Sequence, residues 1–112
     1  MIKQEFGAVV VGSGDLAGKG VFANRSFKPG EVVIQYKLKK LTLEEFKALP
    51  QEEKIFTHKH KGQIFLYSVP ERYVNHSENP NTYQDLEKQC DIALREITKG
   101  EMITTDATKD DI

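Results

Sequence analysis

The densest polar run in the chain reads Arg72-Tyr73-Val74-Asn75-His76-Ser77-Glu78-Asn79-Pro80-Asn81. It holds three asparagines, one arginine, one histidine and one serine, and Val74 is its only aliphatic residue. Asparagine, serine and proline are common turn formers, which favours a capped surface loop. The polar side chains on both sides of Tyr73–Val74 favour instead a partly buried loop, which must satisfy its own hydrogen bonds or those of a ligand. The residues alone leave these two interpretations equal.

Outward from this run, the chain contains an internal repeat. A pattern that begins at Ala23 returns 70 residues later, and the two copies read Ala23-x-Arg25-x-Phe27-x-x-Gly30-Glu31-x-Val33 and Ala93-x-Arg95-x-Ile97-x-x-Gly100-Glu101-x-Ile103. In each copy a glycine stands where the chain must reverse, because glycine adopts a positive φ without a Cβ clash. The repeat therefore predicts two similar turn-and-strand units packed against one core.

Short apolar runs between glycine and proline residues predict strands at Ala8–Val11 (closed by Gly12), Val32–Tyr36, Ile64–Tyr67, Ile92–Leu94 and Met102–Thr105. One helix is predicted where Thr42 and Glu45 form a capping box, and Pro50 ends it. Its apolar face consists of Leu43, Phe46 and Leu49. A second helical turn is predicted around Gln51–Phe56. Short strands, glycine turns and small helices together indicate a single mostly-β α+β domain over residues 1–112.

The composition limits the function classes. With 112 residues and 12.7 kDa, the chain is long enough for one domain with a modest core. The net charge of −1 lacks the basic excess of proteins held by phosphate contacts, so no nucleic-acid partner is expected. No run approaches the ~20 apolar residues of a membrane span, so no membrane partner is expected. The lone Cys90 and the absence of a signal-peptide pattern predict an intracellular, cytoplasmic protein.

Two motifs resemble ligand-binding sites, one for a dinucleotide and one for a metal ion, but the residues next to them disfavour both functions. Val9–Ala17 looks like a strand entering the glycine fingerprint of a dinucleotide-binding fold, which requires a helix at that point. Further glycines and Pro29–Gly30 follow too soon for a useful helix. His58-Lys59-His60 could be a metal-binding pair on one strand face, but the neighbouring lysines would repel a cation. A solvated loop is therefore predicted there, and no metal site is predicted.

The glycine pair in Gly18-Lys19-Gly20 has two interpretations. Two glycines around one residue let the backbone approach a ligand closely and offer it bare amides and carbonyls. The same pattern is typical of a β-bulge or a tight turn. For an isolated pair of this kind, the turn is the favoured interpretation.

Taken in order along the chain, these motifs resemble the SET domain family. The matching segments are Gly18–Ala23, Pro29-Gly30-Glu31 leading into Val32–Tyr36, Arg72–Ser77 with Pro80-Asn81, and Ala93–Glu101. Each segment is weak alone. The pattern N-H-S-x-x-P-N followed by A-x-R-x-I-x-x-G-E is specific, and the resemblance covers nearly the whole chain.

The resemblance implies a β-clip of small curved sheets, in which the C-terminal segment passes under a preceding loop in a knot-like crossing. It also implies binding of S-adenosylmethionine and transfer of its methyl group to a lysine of an unidentified protein substrate. The residues that match the family's cofactor pocket are Gly18, Lys19, Gly20, Arg72, Tyr73, Asn75 and His76. Tyr36 matches a tyrosine of the lysine channel, and Tyr67 is a second candidate for that channel.

The chain departs from the family's pattern at the tyrosine that usually closes the last strand. Ala107 stands at that position, and alanine can neither orient a methyl group nor shape the lysine slot. Tyr36, Tyr67 or Tyr83 could partly fill the slot. The leading hypothesis is a lysine methyltransferase-like SET domain, and the alternative is an inactive SET-like module for binding or assembly. A homodimer that completes the pocket is also compatible with a small domain that has β-edges.

Overall fold

The computed structural model describes residues 4–106. The strands in chain order are β1 Gln4–Phe6, β2 Val9–Leu16, β3 Lys19–Ala23, β4 Val32–Gln35, β5 Lys39–Leu41, β6 Thr57–His60, β7 Gln63–Leu66, β8 Asn75–His76, β9 Thr82–Asp85, β10 Cys90–Ala93 and β11 Met102–Thr105. The helices are α1 Leu43–Ala48 and α2 Gln51–Lys54, with a 3₁₀ turn at Glu71–Tyr73. The predicted mostly-β α+β class is therefore confirmed.

The strands form three small sheets within this part of the chain. The largest has the order β1-β2-β3-β11-β8, and the others have the orders β4-β10-β9 and β5-β7-β6. Neighbouring strands are antiparallel except β11 and β8, which run parallel with Thr104 opposite Asn75 and Thr105 opposite His76. This parallel pair brings β11 beside the polar run. The knot-like crossing stays a prediction.

The two repeat copies meet at the centre of the molecule. Phe27 and Ile97 form an isolated antiparallel bridge, and the N–H group of each donates to the carbonyl of the other, at 2.8 and 3.0 Å. Both side chains are at most 1% exposed. The core around them includes Val9, Val21, Ala23, Val33, Ile34, Ala93 and Ile103. The prediction of two similar units packed against one core is therefore confirmed.

The helices begin and end as the sequence predicts. Thr42 Oγ1 accepts the N–H of Glu45 at 3.1 Å, and Glu45 Oε1 accepts the N–H of Thr42 at 2.9 Å, so the capping box is complete. Helix α1 ends before Pro50 and buries none of its residues, with Leu43 58% exposed. Within residues 4–106, no helix has both the length and the apolar composition required to cross a membrane.

Two predictions about single strands are wrong. Gly12 does not close β2, because it pairs with Gly20 inside the β2–β3 hairpin and the strand continues to Leu16. The segment around His58 is strand β6 and not a solvated loop. Its residues alternate between the core and solvent, as successive strand residues do, so that His58 is buried and Lys59 is exposed.

Candidate functional site

Asn75 joins the β2–β3 hairpin to the polar run. Its side chain is 3% exposed, and its Oδ1 accepts the backbone N–H of Asp15 at 2.8 Å. Its Nδ2 donates to the carbonyls of Lys19 and Tyr73, at 3.0 and 2.9 Å, which uses both amide protons. The structure therefore brings together the two distant segments from which a pocket was predicted. Asn75 holds these segments in place through its side chain.

The tip of the β2–β3 hairpin is a tight turn with an irregular register. Ala17 and Gly18 have φ values of 53° and 79°, and the strand pairing shifts near the end of β2. A Cβ on Gly14 would lie 2.5 Å from the carbonyl oxygen of Lys19, so this close backbone crossing requires glycine. A Cβ on Gly18 would meet no atom within 4 Å. The turn interpretation of the glycine pair is confirmed, and the backbone at Gly18 is exposed to solvent.

Lys19 and Tyr73 form the outer face of this region. The Lys19 Nζ lies 5.4 Å from the centre of the Tyr73 ring, within the range of a cation–π contact. Tyr73 is half-buried, and its ring packs edge-on against Phe56 at 5.5 Å. Because Lys19 is exposed, its ammonium can reach an anionic group that binds near the hairpin tip.

Arg72 is committed to contacts within the protein. Its Nε and Nη2 donate to the carbonyl of Tyr67 at 3.1 and 2.9 Å, and its Nη1 pairs with Glu53 Oε2 at 3.1 Å. The guanidinium also lies over Phe56, 4.7 Å from the ring centre. Arg72 therefore fixes the backbone at Tyr67, and Glu53 compensates its positive charge.

His76 lies at the end of β8, beside the last described strand. Its Nδ1 is 3.8 Å from Asp106 Oδ1, and its side chain is 44% exposed. His76 and Asn75 are opposite Thr105 and Thr104 of β11. Ala107, the residue that departs from the family's pattern, lies outside the described residues.

The two predicted channel tyrosines are neighbours in the core. Their rings meet edge-on at 5.7 Å, with Tyr36 5% and Tyr67 8% exposed. The Tyr36 hydroxyl donates to Asp91 Oδ1, whereas the Tyr67 hydroxyl donates to Gln84 Oε1 at 3.3 Å. The His58 ring stacks on Tyr67 with 4.6 Å between centres. The roles of both tyrosines in a lysine channel stay predictions.

A cleft of about 130 Å³ connects several of these residues. Its walls consist of Leu16, Ile55, Phe56, Tyr67, Glu71, Arg72, Val74, Gln84 and Thr105. The cleft therefore combines one channel candidate, Tyr67, with one cofactor candidate, Arg72. Tyr36 is not part of these walls, and Tyr83 lines a separate cavity with Leu94.

Sequence reasoning missed Glu71, Gln84 and Asp91. Glu71 lines the cleft, while Gln84 and Asp91 hold the two tyrosine hydroxyls. The strand pattern around Ile92 could have placed Asp91 on a strand, but no motif marks Glu71 or Gln84. Cys90 is a buried core residue, and this burial raises the pKa of its thiol. Because the thiolate is the nucleophilic form, Cys90 is a poor nucleophile.

Residues 18–106 match the sequence model of the SET domain family, which spans most of the chain. The chain therefore belongs to the SET domain family. Among proteins with curated functional descriptions, none matches this sequence.

Solved structures resemble the fold at low sequence identity. A Plasmodium falciparum protein assigned as a histone methyltransferase has a TM-score of 0.70 and 21% identity, over 88% of this chain and 91% of that one. A Chaetomium thermophilum Polycomb Repressive Complex 2, a humanized mutant bound to the inhibitor GSK126, has a TM-score of 0.71 and 21% identity. An autoinhibited form of the ctPRC2 complex bound to S-adenosylmethionine has a TM-score of 0.70 and 23% identity. Each of these two covers 92% of this chain, which spans 15% of theirs.

Proposed function

We propose that this SET domain binds S-adenosylmethionine and transfers its methyl group to a lysine side chain of a protein substrate. Membership of the SET domain family supports the reaction class. The observation that carries the proposal is the hydrogen bond of 3.0 Å from Asn75 Nδ2 to the carbonyl of Lys19. It joins the glycine pair to the asparagine–histidine stretch, directly beside the cleft that contains Tyr67.

The residues at this surface fit the chemistry of that cofactor. The exposed Lys19 offers an ammonium to the carboxylate of the methionine part, and the exposed backbone at Gly18 offers its amide group. The half-buried Tyr73 ring offers a flat apolar surface to a nucleoside. The adjacent cleft has aromatic walls and the carboxylate of Glu71, which suit the positive charge of a sulfonium.

When bound, S-adenosylmethionine supplies an activated methyl group. The residues of the chain position the acceptor amine and exclude water from the reacting atoms. Tyr67 is fixed by its hydrogen bond to Gln84 and by the stacked His58 ring, so its position in the cleft wall is defined. Burial against the aromatic walls disfavours the charged form of lysine and lowers its pKa from about 10.4, whereas the Glu71 carboxylate in the same cleft acts in the opposite direction.

Calorimetric titration with S-adenosylmethionine tests the binding step. We expect saturable binding by the wild type and an affinity about 10-fold lower for Lys19→Glu, because this change places a negative charge where the carboxylate would bind. Lys47→Glu is the matched control, because Lys47 is exposed on α1 and forms none of the proposed contacts with the cofactor. Absence of binding by the wild type would contradict the proposal.

Transfer of labelled methyl groups to a lysine-rich protein pool tests the chemical step. We expect a measurable rate in the wild type and a rate about 10-fold lower for Tyr67→Phe, which removes a hydroxyl at the cleft wall. Tyr83→Phe is the control, because Tyr83 is 44% exposed and lines a different cavity. A gain of transfer in Ala107→Tyr would identify position 107 as the missing tyrosine of the family.

The second candidate function is an inactive SET-like module for binding or assembly. The observation that favours it is the commitment of the Tyr36 hydroxyl to Asp91, which leaves Tyr67 as the tyrosine at the cleft wall within residues 4–106. Binding of S-adenosylmethionine without methyl transfer to any lysine in the pool would favour this candidate over the enzyme.

A further inference from the structure

Glu71 is a buried carboxylate that uses only one of its oxygens. The residue is 5% exposed and lines the cleft. Its Oε2 accepts the backbone N–H groups of Lys37 and Ser68 at 2.8 and 3.1 Å. Its Oε1 is buried and accepts no hydrogen bond from any residue between 4 and 106. In the same part of the chain, no lysine, arginine or histidine side chain forms an ion pair with Glu71.

This arrangement is costly unless a cation occupies the cleft. A buried charge is destabilising when it has no partner, and buried carboxylates are normally paired or bind a metal ion. Arg72 is the basic residue of the cleft wall, but it pairs with Glu53 and the carbonyl of Tyr67. Within residues 4–106, the Glu71 carboxylate therefore has two backbone N–H donors at Oε2 but no cationic partner.

The surroundings of Glu71 favour an organic cation over a metal ion. No group of three or more histidine, cysteine, aspartate or glutamate side chains in the described residues could hold a metal. The other walls are largely apolar or aromatic, and include Leu16, Phe56 and Tyr67. Such walls suit the alkyl stem of an alkylammonium. The volume of about 130 Å³ is below the roughly 300–1,000 Å³ of sites for drug-sized ligands, so it suits a group the size of a side chain.

We propose that Glu71 Oε1 is the acceptor for an alkylammonium group that binds in this cleft. The ammonium group has two candidate sources, the side chain of the substrate lysine and the α-ammonium of the methyl donor. The choice of these two sources rests on the proposed function. If the source is the substrate, Glu71 selects a cationic side chain at the binding step, before the amine loses its proton.

The variant Glu71→Gln tests the role of the charge with little change in shape. Its amide oxygen can still accept the N–H groups of Lys37 and Ser68, while its NH₂ group takes the place of Oε1 and repels an ammonium. Glu52→Gln is the matched control, since it removes the same charge from an exposed position on α2. Thermal unfolding of both variants checks that they fold.

Two pairs of probes distinguish the sources of the ammonium. The first pair is Nα-acetyl-lysine methylamide and the uncharged Nα-acetyl-norleucine methylamide, titrated by NMR. The second is S-adenosylhomocysteine and 5′-methylthioadenosine, titrated by calorimetry. Both contain an uncharged thioether sulfur, and only S-adenosylhomocysteine carries the α-ammonium of the amino-acid part. A loss of about 10-fold or more in Glu71→Gln for the lysine probe alone assigns the substrate, and the same loss for S-adenosylhomocysteine but not methylthioadenosine assigns the α-ammonium of the donor. Unchanged affinities for all four probes would overturn the proposal.

A measurement on the wild type keeps the proposal testable if Glu71→Gln does not fold. The backbone N–H groups of Lys37 and Ser68 donate to Glu71, so their NMR signals should shift with the ammonium-bearing probe of either pair and not with its matched partner. Equal or absent shifts with both members of each pair would overturn the proposal. Glu71-dependent lysine binding without S-adenosylmethionine binding would refute the proposed function alone. S-adenosylmethionine binding that is independent of Glu71, with no lysine binding, would refute this inference alone.

Discussion

The two repeat copies form the same turn with the same side-chain contacts. In the first copy, Arg25 pairs with Glu31 at 3.3 Å, and Glu31 Oε1 accepts the N–H of Lys28 at 2.7 Å. The second copy repeats both contacts at matching positions, with Arg95 to Glu101 at 3.0 Å and the Thr98 N–H to Glu101 at 2.9 Å. The same local pattern therefore forms the same side-chain contacts in both copies.

Each copy also forms backbone hydrogen bonds to the other copy. The Ala23 N–H donates to the carbonyl of Glu101 at 2.8 Å, and the Ala93 N–H donates to the carbonyl of Glu31 at 2.9 Å. These reciprocal bonds give the centre of the fold an approximate two-fold symmetry. The two copies therefore form one structural unit, in which each copy accepts a backbone hydrogen bond from the other.

The copies differ in what lies beside the strand that follows the turn. Strand β4 of the first copy lies at the edge of its sheet, next to β10. Strand β11 of the second copy lies inside the largest sheet, between β3 and β8, and Thr105 at its end lines the cleft. The comparison teaches that the repeat builds the core, whereas the parallel neighbour β8 gives the second copy its place at the candidate site.

The largest expected effect comes from the residues at the centre of the repeat. Phe27→Ala should lower the free energy of unfolding by about 3–5 kcal/mol and Ile97→Ala by about 2–5 kcal/mol, because both side chains are at most 1% exposed. Urea unfolding measures both values. The control is Leu94→Ala, since Leu94 is 49% exposed and should change the stability little. A large loss in only one of the two core variants would break the equivalence of the copies.

The next effect concerns the two buried asparagines of the polar run. Asn75→Ala should cost about 2–3 kcal/mol, because it leaves the Asp15 N–H and the Lys19 carbonyl without a partner. Asn81→Ala should cost a similar amount, since Asn81 donates to Met102 and accepts from Thr104 in the second copy's strand. Thermal and urea unfolding measure the loss.

The exposed Asn79 gives the control for both asparagine variants. Asn79→Ala should leave the stability within about 0.5 kcal/mol of the wild type. If Asn75→Ala were as stable as Asn79→Ala, the hydrogen bonds between the hairpin and the polar run would contribute nothing to the fold. The candidate site would then lack the connection on which the proposed function depends.

The turn glycines give a smaller, matched effect. Gly30 and Gly100 have φ values of 87° and 97°, and a Cβ on either would meet no atom within 4 Å. Gly30→Ala and Gly100→Ala should therefore each cost about 1–2 kcal/mol, from backbone strain alone. Urea unfolding should give equal losses within error. A clearly larger loss in one copy would show that its turn is also constrained by its neighbours.

The sequence predicts local features better than long-range neighbours. The capping box at Thr42, the turns at Gly30 and Gly100 and strand β11 all follow from patterns within a few residues. The pairing of β11 with β8 joins residues about 30 positions apart, and no local pattern encodes it. The burial of His58 was missed for a different reason. The rings that stack on it, Phe65 and Tyr67, lie close by in the sequence, but the pattern at His58 predicted a loop and therefore not the β6–β7 hairpin that brings them together.

The candidate site shows the same limit. The resemblance to the SET domain family supplied Gly18, Lys19 and Asn75, which the structure joins by hydrogen bonds. Glu71 carries no motif, because its significance depends on burial beside the cleft and on the absence of a cation near its Oε1 within the described residues. Burial of a polar side chain in a loop is set by the whole fold and cannot be deduced from its sequence neighbours.

The smallest expected effect is a pH dependence shared by the two turns. Backbone N–H groups at Lys28 and Thr98, followed by the nearby arginines, hold the pKa values of Glu31 and Glu101 below the ordinary value of 4.5. In the unfolded chain both groups return to that value. Their stabilising contribution is therefore complete above about pH 4.5 and is lost as the pH falls through the lowered pKa values.

The double variant Glu31→Gln with Glu101→Gln tests this dependence, because glutamine keeps an acceptor for both N–H groups but cannot titrate. Between about pH 5 and about pH 3, the wild type should lose stability more steeply than the variant in urea unfolding. Glu44→Gln, at an exposed position on α1, should keep the slope of the wild type. The two single variants should each remove a similar part of the difference, since the contacts are alike in both copies. Parallel curves for the wild type and the double variant would show that the two turns do not depend on ionised glutamates, and that the backbone hydrogen bonds between the copies are sufficient to maintain them.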